Sequence, residues 1–229
     1  MSERLRIAAP AHAALLARFY DELYLPAFAH QREPLDAWQS QLWGDAPAPF
    51  ELTITLAGDS LADPDQARID GGIVGERYPR SRCAILTYMV VAPHARRGGL
   101  GRTLLDDARE ALRGRTRAVF GEVSDPALAR SEDEATTARA RLDRFLRWGA
   151  RVIEQPYVQP CLGPGLARDR ALRLIAFFDE PAPASLPGDV LRDFLREFYA
   201  VTERLEPTAD PELGPLLAGI PDQVAVRRM

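Results

Sequence analysis

The chain has 229 residues, of which 46% are apolar and 27% are charged, and its formal net charge is −4. This length suits one sizeable domain, and the apolar fraction excludes an intrinsically disordered chain. The acidic balance argues against a general nucleic-acid binder, because such proteins are normally basic. The two cysteines, Cys83 and Cys161, lie far apart in the sequence, so we predict neither a disulfide framework nor a metal site. No apolar run approaches the length of a membrane span, and we expect a cytoplasmic protein.

The first part of the chain predicts a short strand followed by two helices. Residues 5–8 are the predicted strand, and residues 10–23 place apolar side chains on one helical face. Prolines then interrupt the pattern, and residues 35–43 form a second, shorter helical pattern. Glu33 therefore lies on the connector between the two helices.

An antiparallel meander is predicted next. Residues 50–56 alternate between apolar and polar side chains, as in a strand with one buried face. Residues 67–78 and 82–91 are two further strand patterns, joined around Pro79-Arg80-Ser81. Such a short connection joins antiparallel neighbours, so we expect three successive strands to lie side by side.

A loop rich in arginine and glycine separates the last of these strands from a helical pattern over residues 100–112. Backbone N–H groups at the start of a helix have no intrahelical acceptor, and the helix dipole favours negative charge there. The loop is therefore a predicted phosphate site, in which glycines let the backbone approach the ligand and arginines add charge. Its sequence is Arg96-Arg97-Gly98-Gly99-Leu100-Gly101-Arg102-Thr103.

Two common nucleotide-binding motifs do not match this loop. A P-loop needs a lysine after its glycines, and a dinucleotide-binding fingerprint needs a third glycine where Leu104 stands. A tight turn from strand to helix would account for the glycines. It would not account for the three arginines among them.

Strands and helices alternate over the residues that follow. The predicted strands are residues 117–123, 151–158 and 171–178, and the predicted helical region is residues 128–148. Glu122 lies inside the otherwise apolar first of these strands, and Tyr157 lies in the second. Because a buried carboxylate is costly unless it faces a polar cleft, Glu122 is a candidate site residue. The alternative is that it lies on the solvent face of its strand.

The C-terminal part is predicted as an appendage to the body of the protein. We expect one domain over residues 1–180, a Pro-rich linker over residues 181–188, and a helix and tail over residues 189–229. The helix carries an apolar face within residues 190–205 that is too large to be left in water. It is therefore expected to pack on the body or on a second subunit, which makes a homodimer a hypothesis.

The order of elements together with the loop resembles the GNAT superfamily of acetyl-CoA-dependent N-acetyltransferases. The diagnostic pattern of that superfamily is Q/R-x-x-G-x-G/A, and Arg96-Arg97-Gly98-Gly99-Leu100-Gly101 matches it at every fixed position. The lead-in Val91-Ala92-Pro93 adds specificity. The resemblance covers about residues 6–178 and implies an α/β (α+β) fold. This fold has a mixed, mostly antiparallel central sheet flanked by helices and splayed between the fourth and fifth strands, here with a C-terminal helical extension.

The resemblance also implies acetyl-CoA as co-substrate. The loop would hold the pyrophosphate of coenzyme A, and the edge of the fourth strand would pair with the pantetheine arm, as an added strand does. The thioester would lie in the gap between the fourth and fifth strands. The implied cofactor-binding residues are Met89, Val90, Val91, Arg96, Arg97, Gly98, Gly99, Leu100, Gly101, Arg102 and Thr103.

Acetyl transfer to an amine needs a base, because an ammonium group with a pKa of about 10 must first lose a proton. We assign that role to Glu122. In many members of the superfamily a Tyr, about four residues before a Gly-Phe pair, protonates the leaving thiolate. Here Phe145 occupies that site and Gly149-Ala150 occupies the pair. The candidate replacements are Tyr157 on the sixth strand and Tyr88 on the fourth, and we assign the acid role to Tyr157.

Two further residues are assigned to acceptor binding. Glu33 lies where members of the superfamily commonly contact the acceptor, and Tyr88 lies on the fourth strand. For Tyr88 and Tyr157 the alternative is a half-buried aromatic that only packs. For Glu33 the alternative is an exposed loop charge.

The predicted function is transfer of an acetyl group from acetyl-CoA to a primary amine by direct attack in a ternary complex. The partner is expected to be a small-molecule or peptide amine, with no nucleic acid, membrane or metal involved. The alternative is a non-catalytic acyl-CoA-binding or protein-interaction module on the same fold. The missing helix Tyr and the apolar tail helix keep that alternative open, and the sequence leaves the acceptor unidentified.

Overall fold

A computed structural model describes residues 2–28, 33–45, 47–163 and 165–228. The chain divides into two compact units, each built from two stretches of sequence. The first unit comprises Met1–Arg77 and Leu86–Gly114, and the second comprises Tyr78–Ile85 and Arg115–Met229. Two consecutive strands therefore have residues in both units, and the turn between them belongs to the second unit.

Among the residues that the structure describes, the first unit combines four strands with four α-helices. The strands are β1 (Glu3–Arg6), β2 (Glu51–Asp59), β3 (Arg68–Tyr78) and β4 (Cys83–Val91), of which the last two extend into the second unit. The helices are α1 (Ala13–Phe19), α2 (Leu25–Ala27), α3 (Leu35–Trp43) and α4 (Leu100–Leu112). A π-helical turn, Tyr20–Tyr24, joins α1 to α2.

The sheet of this unit follows from the alternation of its strands. β1 pairs antiparallel with β2, and β2 pairs antiparallel with β3, so that Ile54 lies opposite Val74. The buried residues of β2 on one face, such as Ile54, pack in one cluster with α1 and α3, whereas Ala57 and Ile73 pack in another with α4. Helices thus cover both faces of these strands.

The first strand begins earlier than predicted. The predicted strand over residues 5–8 is wrong by two residues, because β1 is Glu3–Arg6. Leu5 pairs with Leu56 as part of the ladder, and the buried Ile7 makes one more hydrogen bond, from its N–H to the Ile54 carbonyl at 2.8 Å. The apolar residues marked the buried side of the segment, but the ladder itself runs through the charged residues before them.

The described part of the second unit adds five strands and three α-helices. The strands are β5 (Ala118–Ser124), β6 (Ala150–Ile153), β7 (Leu172–Phe177), β8 (Ser185–Pro187) and β9 (Gln223–Arg227). The helices are α5 (Glu132–Arg147), α6 (Gly188–Glu203) and α7 (Leu213–Ala218). No helix in the described part of the chain combines the length and the apolar character needed to cross a membrane.

The nine strands of the described residues belong to one sheet, in the order β1-β2-β3-β4-β5-β7-β6-β9-β8. β5 pairs antiparallel with β7, and β7 pairs antiparallel with β6. β4 begins in the second unit, where it is the parallel neighbour of β5; just before the two strands, the Arg117 N–H donates to the Arg82 carbonyl at 2.6 Å. The predicted α/β fold with a mixed, mostly antiparallel sheet is confirmed, and the splay between the fourth and fifth strands stays a prediction.

The sixth strand is shorter than predicted. We expected residues 151–158 to be extended strand, but β6 ends at Ile153, and Tyr157 lies beyond it. Pro156 and Pro160 explain the early end, because proline has no N–H to donate to a ladder. The placement of Tyr157 on the sixth strand is therefore wrong.

The C-terminal residues extend the sheet of the second unit. β9 pairs antiparallel with β6, and β8 pairs antiparallel with β9. β8 takes up part of the Pro-rich stretch that the sequence assigns to a linker. The predicted domain boundaries at residues 180 and 188 stay a prediction.

Helix α6 buries its apolar face within the second unit. The Phe194 ring stacks on Phe120 of β5 with centroids 4.4 Å apart, and it also stacks on Phe198. At the same helix, the buried Glu197 carboxylate accepts hydrogen bonds from the N–H groups of Arg80 (3.0 Å) and Ser81 (2.6 Å). The apolar face no longer requires a second subunit, and the homodimer stays a prediction.

We expect Phe194→Ala to lower the free energy of unfolding by about 3–5 kcal/mol, because it removes a fully buried ring. Urea denaturation measures this change. Leu128→Ala is the control, since the Leu128 side chain is 55% exposed and its truncation is expected to change stability by no more than about 0.5 kcal/mol. If both variants lost equally little stability, α6 would not be part of the cooperative core.

Candidate active site

The arginine and glycine loop connects β4 to α4 in the first unit. The chain leaves β4 at Val91 and passes through a single 3-10 turn, Pro93–Ala95. Arg97 and Gly99 then adopt left-handed backbone conformations, with φ of +70° and +82°. Arg97 adopts this conformation at a cost of roughly 1–2 kcal/mol for a residue with a Cβ atom. Backbone strain of this kind is typical of ligand-binding loops.

The backbone of the loop is open to an incoming ligand. A Cβ atom built on Gly99 would meet no other atom within 4 Å, and one built on Gly98 would approach only the Ala95 carbonyl, at 3.7 Å. Gly99 is therefore required by its φ angle and not by crowding. The N–H groups of Leu100, Gly101 and Arg102 belong to the first turn of α4 and have no intrahelical acceptor.

The backbone N–H of Thr103 is used inside α4, and the predicted role of this residue in cofactor binding stays a prediction. Its N–H donates to the Gly99 carbonyl at 3.1 Å, which is the first hydrogen bond of α4. The backbone donors open to a phosphate therefore end at Arg102. The Thr103 hydroxyl lies 3.4 Å from the same carbonyl.

The three arginines of the loop have different partners. Arg96 Nε donates to the Val91 carbonyl at 3.1 Å, and Arg102 Nε pairs with Asp106 Oδ2 at 2.6 Å. Arg97 is exposed and has no ion-pair partner among the residues that the structure describes. Arg97 is thus the cation of this loop that is most readily available to an anionic ligand.

A buried carboxylate that the sequence did not single out anchors the start of the loop. Asp70 of β3 has a side chain only 4% exposed, and its Oδ1 lies 2.9 Å from His94 Nε2. The Asp70 carbonyl also accepts the Ala92 N–H at 2.8 Å. Hydrogen bonding from Arg68 holds the pKa of Asp70 below its usual value, against the opposing effect of burial. Residues 96–103 are called the phosphate loop below, after the ligand that the sequence predicts for them. The residues that lead into this loop are therefore tied to β3 through both backbone and side chain.

The last residues of β4 alternate between two sides of the strand. Met89 and Val91 are half-buried in the cluster beneath α4, whereas Val90 packs with Tyr88 in the cluster beneath α1 and α3. The phosphate loop thus follows a strand whose two faces are both packed against other residues.

Tyr88 and Glu33, which the sequence assigns to acceptor binding, come together in the first unit. The Tyr88 ring packs edge-to-face on Tyr24 and on Phe28, with centroids 4.9 Å apart in both cases. Two hydroxyls fix the Glu33 backbone, since Tyr20 donates to its carbonyl at 2.8 Å and its N–H donates to Tyr24 at 2.8 Å. Glu33 is therefore held beside an aromatic cluster, and the alternative of an exposed loop charge does not describe it.

The surroundings of Glu33 also change its acidity. Burial raises the pKa of the Glu33 carboxyl, and interactions with Trp38 and Tyr88 oppose that rise. Burial likewise raises the pKa of Tyr88 well above its usual value, and the neighbouring Glu33 charge adds to this rise. Tyr88 thus keeps its proton at neutral pH and can donate a hydrogen bond.

Glu122 and Tyr157 come together in the second unit. Glu122 lies on β5 opposite Leu174 of β7. Its Oε1 accepts a short hydrogen bond from the Tyr157 hydroxyl, and its Oε2 accepts one from Gln159 Nε2 at 2.7 Å. Gln159 is a site residue that sequence reasoning missed.

The Glu122 carboxyl is largely desolvated but stays partly accessible to solvent. The residue is half-buried, yet burial raises its pKa to about 7, although the hydrogen bonds from Tyr157 and Gln159 act in the opposite direction. A group that is both strongly desolvated and partly accessible is typical of a cleft, and a strand residue on an open solvent face would not show such a shift. A carboxyl with a pKa near neutrality is suited to accept and release a proton.

Tyr157 is a proton donor to Glu122 in this arrangement. Burial raises its pKa well above the usual value, and the Glu122 charge adds to the rise. A second tyrosine, Tyr199 of α6, donates to the Val158 carbonyl at 2.9 Å. Tyr157 is therefore a buried hydroxyl with a defined hydrogen-bond partner, which distinguishes it from an aromatic that only packs.

Comparison with known proteins fits this geometry. The sequence model of the acetyltransferase (GNAT) family matches residues 17–130, which include the phosphate loop and Glu122. The chain belongs to the GNAT acetyltransferase family. No curated protein gives a significant match by sequence.

Solved structures of other acetyltransferases are similar to this chain at low sequence identity. A candidate GNAT-family acetyltransferase from Bacteroides thetaiotaomicron is 19% identical, with a TM-score of 0.56 over 76% of this chain and 87% of the other. A candidate GNAT acetyltransferase from Desulfovibrio desulfuricans is 22% identical, with a TM-score of 0.46 over 76% and 98%. The diaminobutyrate acetyltransferase EctA from Paenibacillus lautus is 14% identical, with a TM-score of 0.48 over 80% and 100%. Of these likenesses, the first bears on the structure, and it shows the fold alone.

This GNAT chain fills the usual position of the general-acid Tyr with an apolar ring. Phe145 of α5 packs edge-to-face on Trp148 and on Phe177, with centroids 5.8 Å and 6.0 Å apart. Phe145 therefore offers no hydroxyl at that position. Among the described residues, no group of three or more His, Cys, Asp or Glu side chains is placed to hold a metal ion.

Proposed function

We propose that this GNAT protein transfers an acetyl group from acetyl-CoA to a primary amine of a small molecule or peptide, by direct attack within a ternary complex. Family membership supports acyl transfer, and the open loop before α4 supports a coenzyme A co-substrate. The observation that carries the catalytic part is the Glu122 carboxyl, which has a pKa of about 7 and two fixed hydrogen-bond donors.

The phosphate loop fits the pyrophosphate of coenzyme A. Its first-turn N–H groups supply hydrogen bonds, the space above Gly99 admits the phosphate oxygens, and Arg97 adds positive charge. The end of β4, Met89 to Val91, would pair with the amide groups of the pantetheine arm. The bound thioester supplies an activated acetyl group, and the protein residues supply position and proton transfer.

Glu122 is proposed as the general base. The carboxylate of Glu122 accepts a proton from the ammonium acceptor, and the neutral nitrogen then forms a bond to the thioester carbonyl carbon. The excess proton that nitrogen carries after the attack is lost to solvent. Because this role requires the ionised carboxylate, the rate should rise as pH increases through about 7.

Tyr157 is proposed to return the proton to the leaving group. When the carbon–sulfur bond breaks, the Tyr157 hydroxyl donates its proton to the thiolate and is reprotonated by Glu122 through their hydrogen bond. The proton lost by the amine thus ends on the thiol, and both residues recover their starting states. This relay would replace the Tyr that Phe145 displaces.

Glu33 is proposed to bind the acceptor, and we expect Glu33→Gln to raise the KM for the amine about tenfold while changing kcat by less than about threefold. The physical reason is the loss of an electrostatic contact worth roughly 1–1.5 kcal/mol in both the ground state and the transition state. Steady-state kinetics with varied amine measures both constants. Glu22→Gln is the control, because Glu22 is an exposed residue of the π-helical turn Tyr20–Tyr24 and carries the same charge. A fall in kcat at unchanged KM would instead assign Glu33 to the chemistry.

The proposed function is tested by acetyl-CoA turnover on a panel of primary amines. Release of free thiol that depends on both the protein and an amine would support the enzyme. Tight calorimetric binding of acetyl-CoA without turnover on any amine would favour the non-catalytic acyl-CoA-binding module. Absence of acetyl-CoA binding would overturn the co-substrate itself.

A further inference from the structure

Glu122 is held by two side chains that come from one short segment of the second unit. Tyr157 and Gln159 are two residues apart, and each donates to a different oxygen of the Glu122 carboxyl. The segment lies beyond the end of β6, so a regular strand ladder does not fix it. Its position must therefore depend on other contacts.

An isolated pair of backbone hydrogen bonds provides the first of these contacts. The Gln159 N–H donates to the Asp169 carbonyl at 2.8 Å, and the Asp169 N–H donates to the Gln159 carbonyl at 3.1 Å. Gln159 is itself buried, with 5% of its surface exposed. The buried amide of Gln159 is thus fixed at its backbone and directed at Glu122 by its side chain.

Helix α6 provides the remaining contacts. The Tyr199 hydroxyl donates to the Val158 carbonyl at 2.9 Å, and Glu203 Oε1 accepts the Cys161 N–H at 2.9 Å. Glu203 also pairs with Arg168, the residue next to Asp169, at 2.6 Å. Helix α6 therefore holds residues 157–161 and also holds Arg168, the neighbour of the Asp169 that pairs with Gln159.

Arg168 joins this arrangement to the residues after α6. Its guanidinium pairs with Asp210 at 2.7 Å and with Glu212 at 3.0 Å, and its side chain is only 15% exposed. Arg170 adds a second cation to Glu212 at 2.7 Å. The C-terminal part of the chain thus reaches the Gln159–Asp169 pair through ion pairs as well as through α6.

We propose that Gln159 is a positioning residue for Glu122, and that Tyr199 of α6 holds Gln159 in place for this purpose. The inference rests on the proposed function of Glu122 as the base. The fixed side-chain amide of Gln159 orients one oxygen of the Glu122 carboxyl and favours the ionised form of that carboxyl. The hydrogen bond from Tyr199 to the Val158 carbonyl keeps the neighbouring Gln159 at the right position to reach Glu122 on β5. The C-terminal extension thereby becomes part of the proton-transfer machinery and not only of the core.

Two variants test this proposal. Gln159→Leu keeps the volume and removes the donor, and Tyr199→Phe removes one hydroxyl from a ring that stays buried. For Gln159→Leu we expect the limb of the pH dependence of kcat/KM to move upward by about one pH unit from about 7, with kcat/KM at pH 7 about fivefold lower. For Tyr199→Phe we expect a smaller shift in the same direction. Acetyl-CoA affinity should stay unchanged in both variants.

A readout that does not depend on turnover separates this proposal from the proposed function. The pKa of Glu122 is followed by NMR titration with carbon-labelled glutamate, assigned by comparison with Glu122→Gln. The proposal is supported if the NMR pKa rises in Gln159→Leu and the kinetic limb moves with it. It is overturned if the NMR pKa stays unchanged in a folded Gln159→Leu, or if it rises while the kinetic limb stays in place. A wild-type protein that turns over no amine would overturn the role in catalysis and with it the proposed function, while the NMR titration would still decide whether Gln159 controls the carboxyl.

Discussion

Glu122→Gln is expected to lower kcat by about two to three orders of magnitude and to abolish the rise of the rate through neutral pH. The amide has nearly the shape of the carboxyl but cannot accept a proton, so the loss measures proton transfer and not packing. The wild-type carboxyl has a pKa of about 7 because burial outweighs the hydrogen bonds from Tyr157 and Gln159. Below that pH it is protonated and inactive as a base, and above it the ionised form is available. The pH–rate profile of the variant should therefore keep only the limb that belongs to the amine.

Glu154→Gln provides the matched control for this experiment. Glu154 directly follows β6 and is exposed, so its substitution changes the same charge without touching the candidate site. We expect its kinetic constants to stay within about twofold of the wild type. A Glu122→Gln variant with a wild-type profile would show that Glu122 is not the base.

Gly99→Val is expected to weaken acetyl-CoA binding about a hundredfold, which isothermal titration calorimetry measures. Valine is strained at the φ of +82° that Gly99 adopts, and its side chain would fill the open space above the loop. The loss of one charge-assisted hydrogen bond to a phosphate, worth roughly 1.5–3 kcal/mol, accounts for a change of this size, because a hundredfold change in affinity is about 2.7 kcal/mol.

The same helix offers a control for backbone strain. Gly114 lies just after α4 with a φ of +70°, and a Cβ atom built there would also meet nothing within 4 Å. Gly114→Val should therefore lower the free energy of unfolding by roughly 1–2 kcal/mol, as the strain in Gly99→Val should. It should change the affinity for acetyl-CoA by less than about threefold. Equal affinities of the two variants would show that the loop does not bind the co-substrate.

Features that depend on neighbouring residues in the sequence were predictable. The alternation of β2, the turn between β3 and β4, and the glycines before α4 are local patterns, and the structure has these elements close to their predicted bounds. The carboxyl of Glu122 was singled out because its strand is otherwise apolar, and the structure places it in a desolvated position. Each of these inferences used chemistry within about ten residues.

Features that join distant parts of the chain were not predictable in the same way. Gln159 and Glu122 are 37 positions apart, and no local pattern distinguishes this glutamine from a surface residue. His94 and Asp70 are 24 positions apart, so the anchoring of the phosphate loop was invisible in the loop itself. The short length of β6 follows from the prolines after it, Pro156 and Pro160. The pairing of β9 with β6 depends on the tertiary fold. The amphipathic pattern of α6 indicated that one face of this helix must be buried. Only the structure shows that this helix packs on Phe120 of β5 and that its Tyr199 holds the segment next to Gln159.

The clearest test of direct transfer uses acetyl-CoA whose acetyl group is labelled with carbon-13. The experiment asks which molecule carries the labelled acetyl group during and after the reaction. After incubation with a primary amine, mass spectrometry of both the small molecules and the intact protein locates the label. We predict one labelled acetyl group on the amine for each thiol released, and no label on the protein at any time point. Label on the protein during turnover would contradict direct attack, and label that stays on coenzyme A with every amine would contradict acetyl transfer.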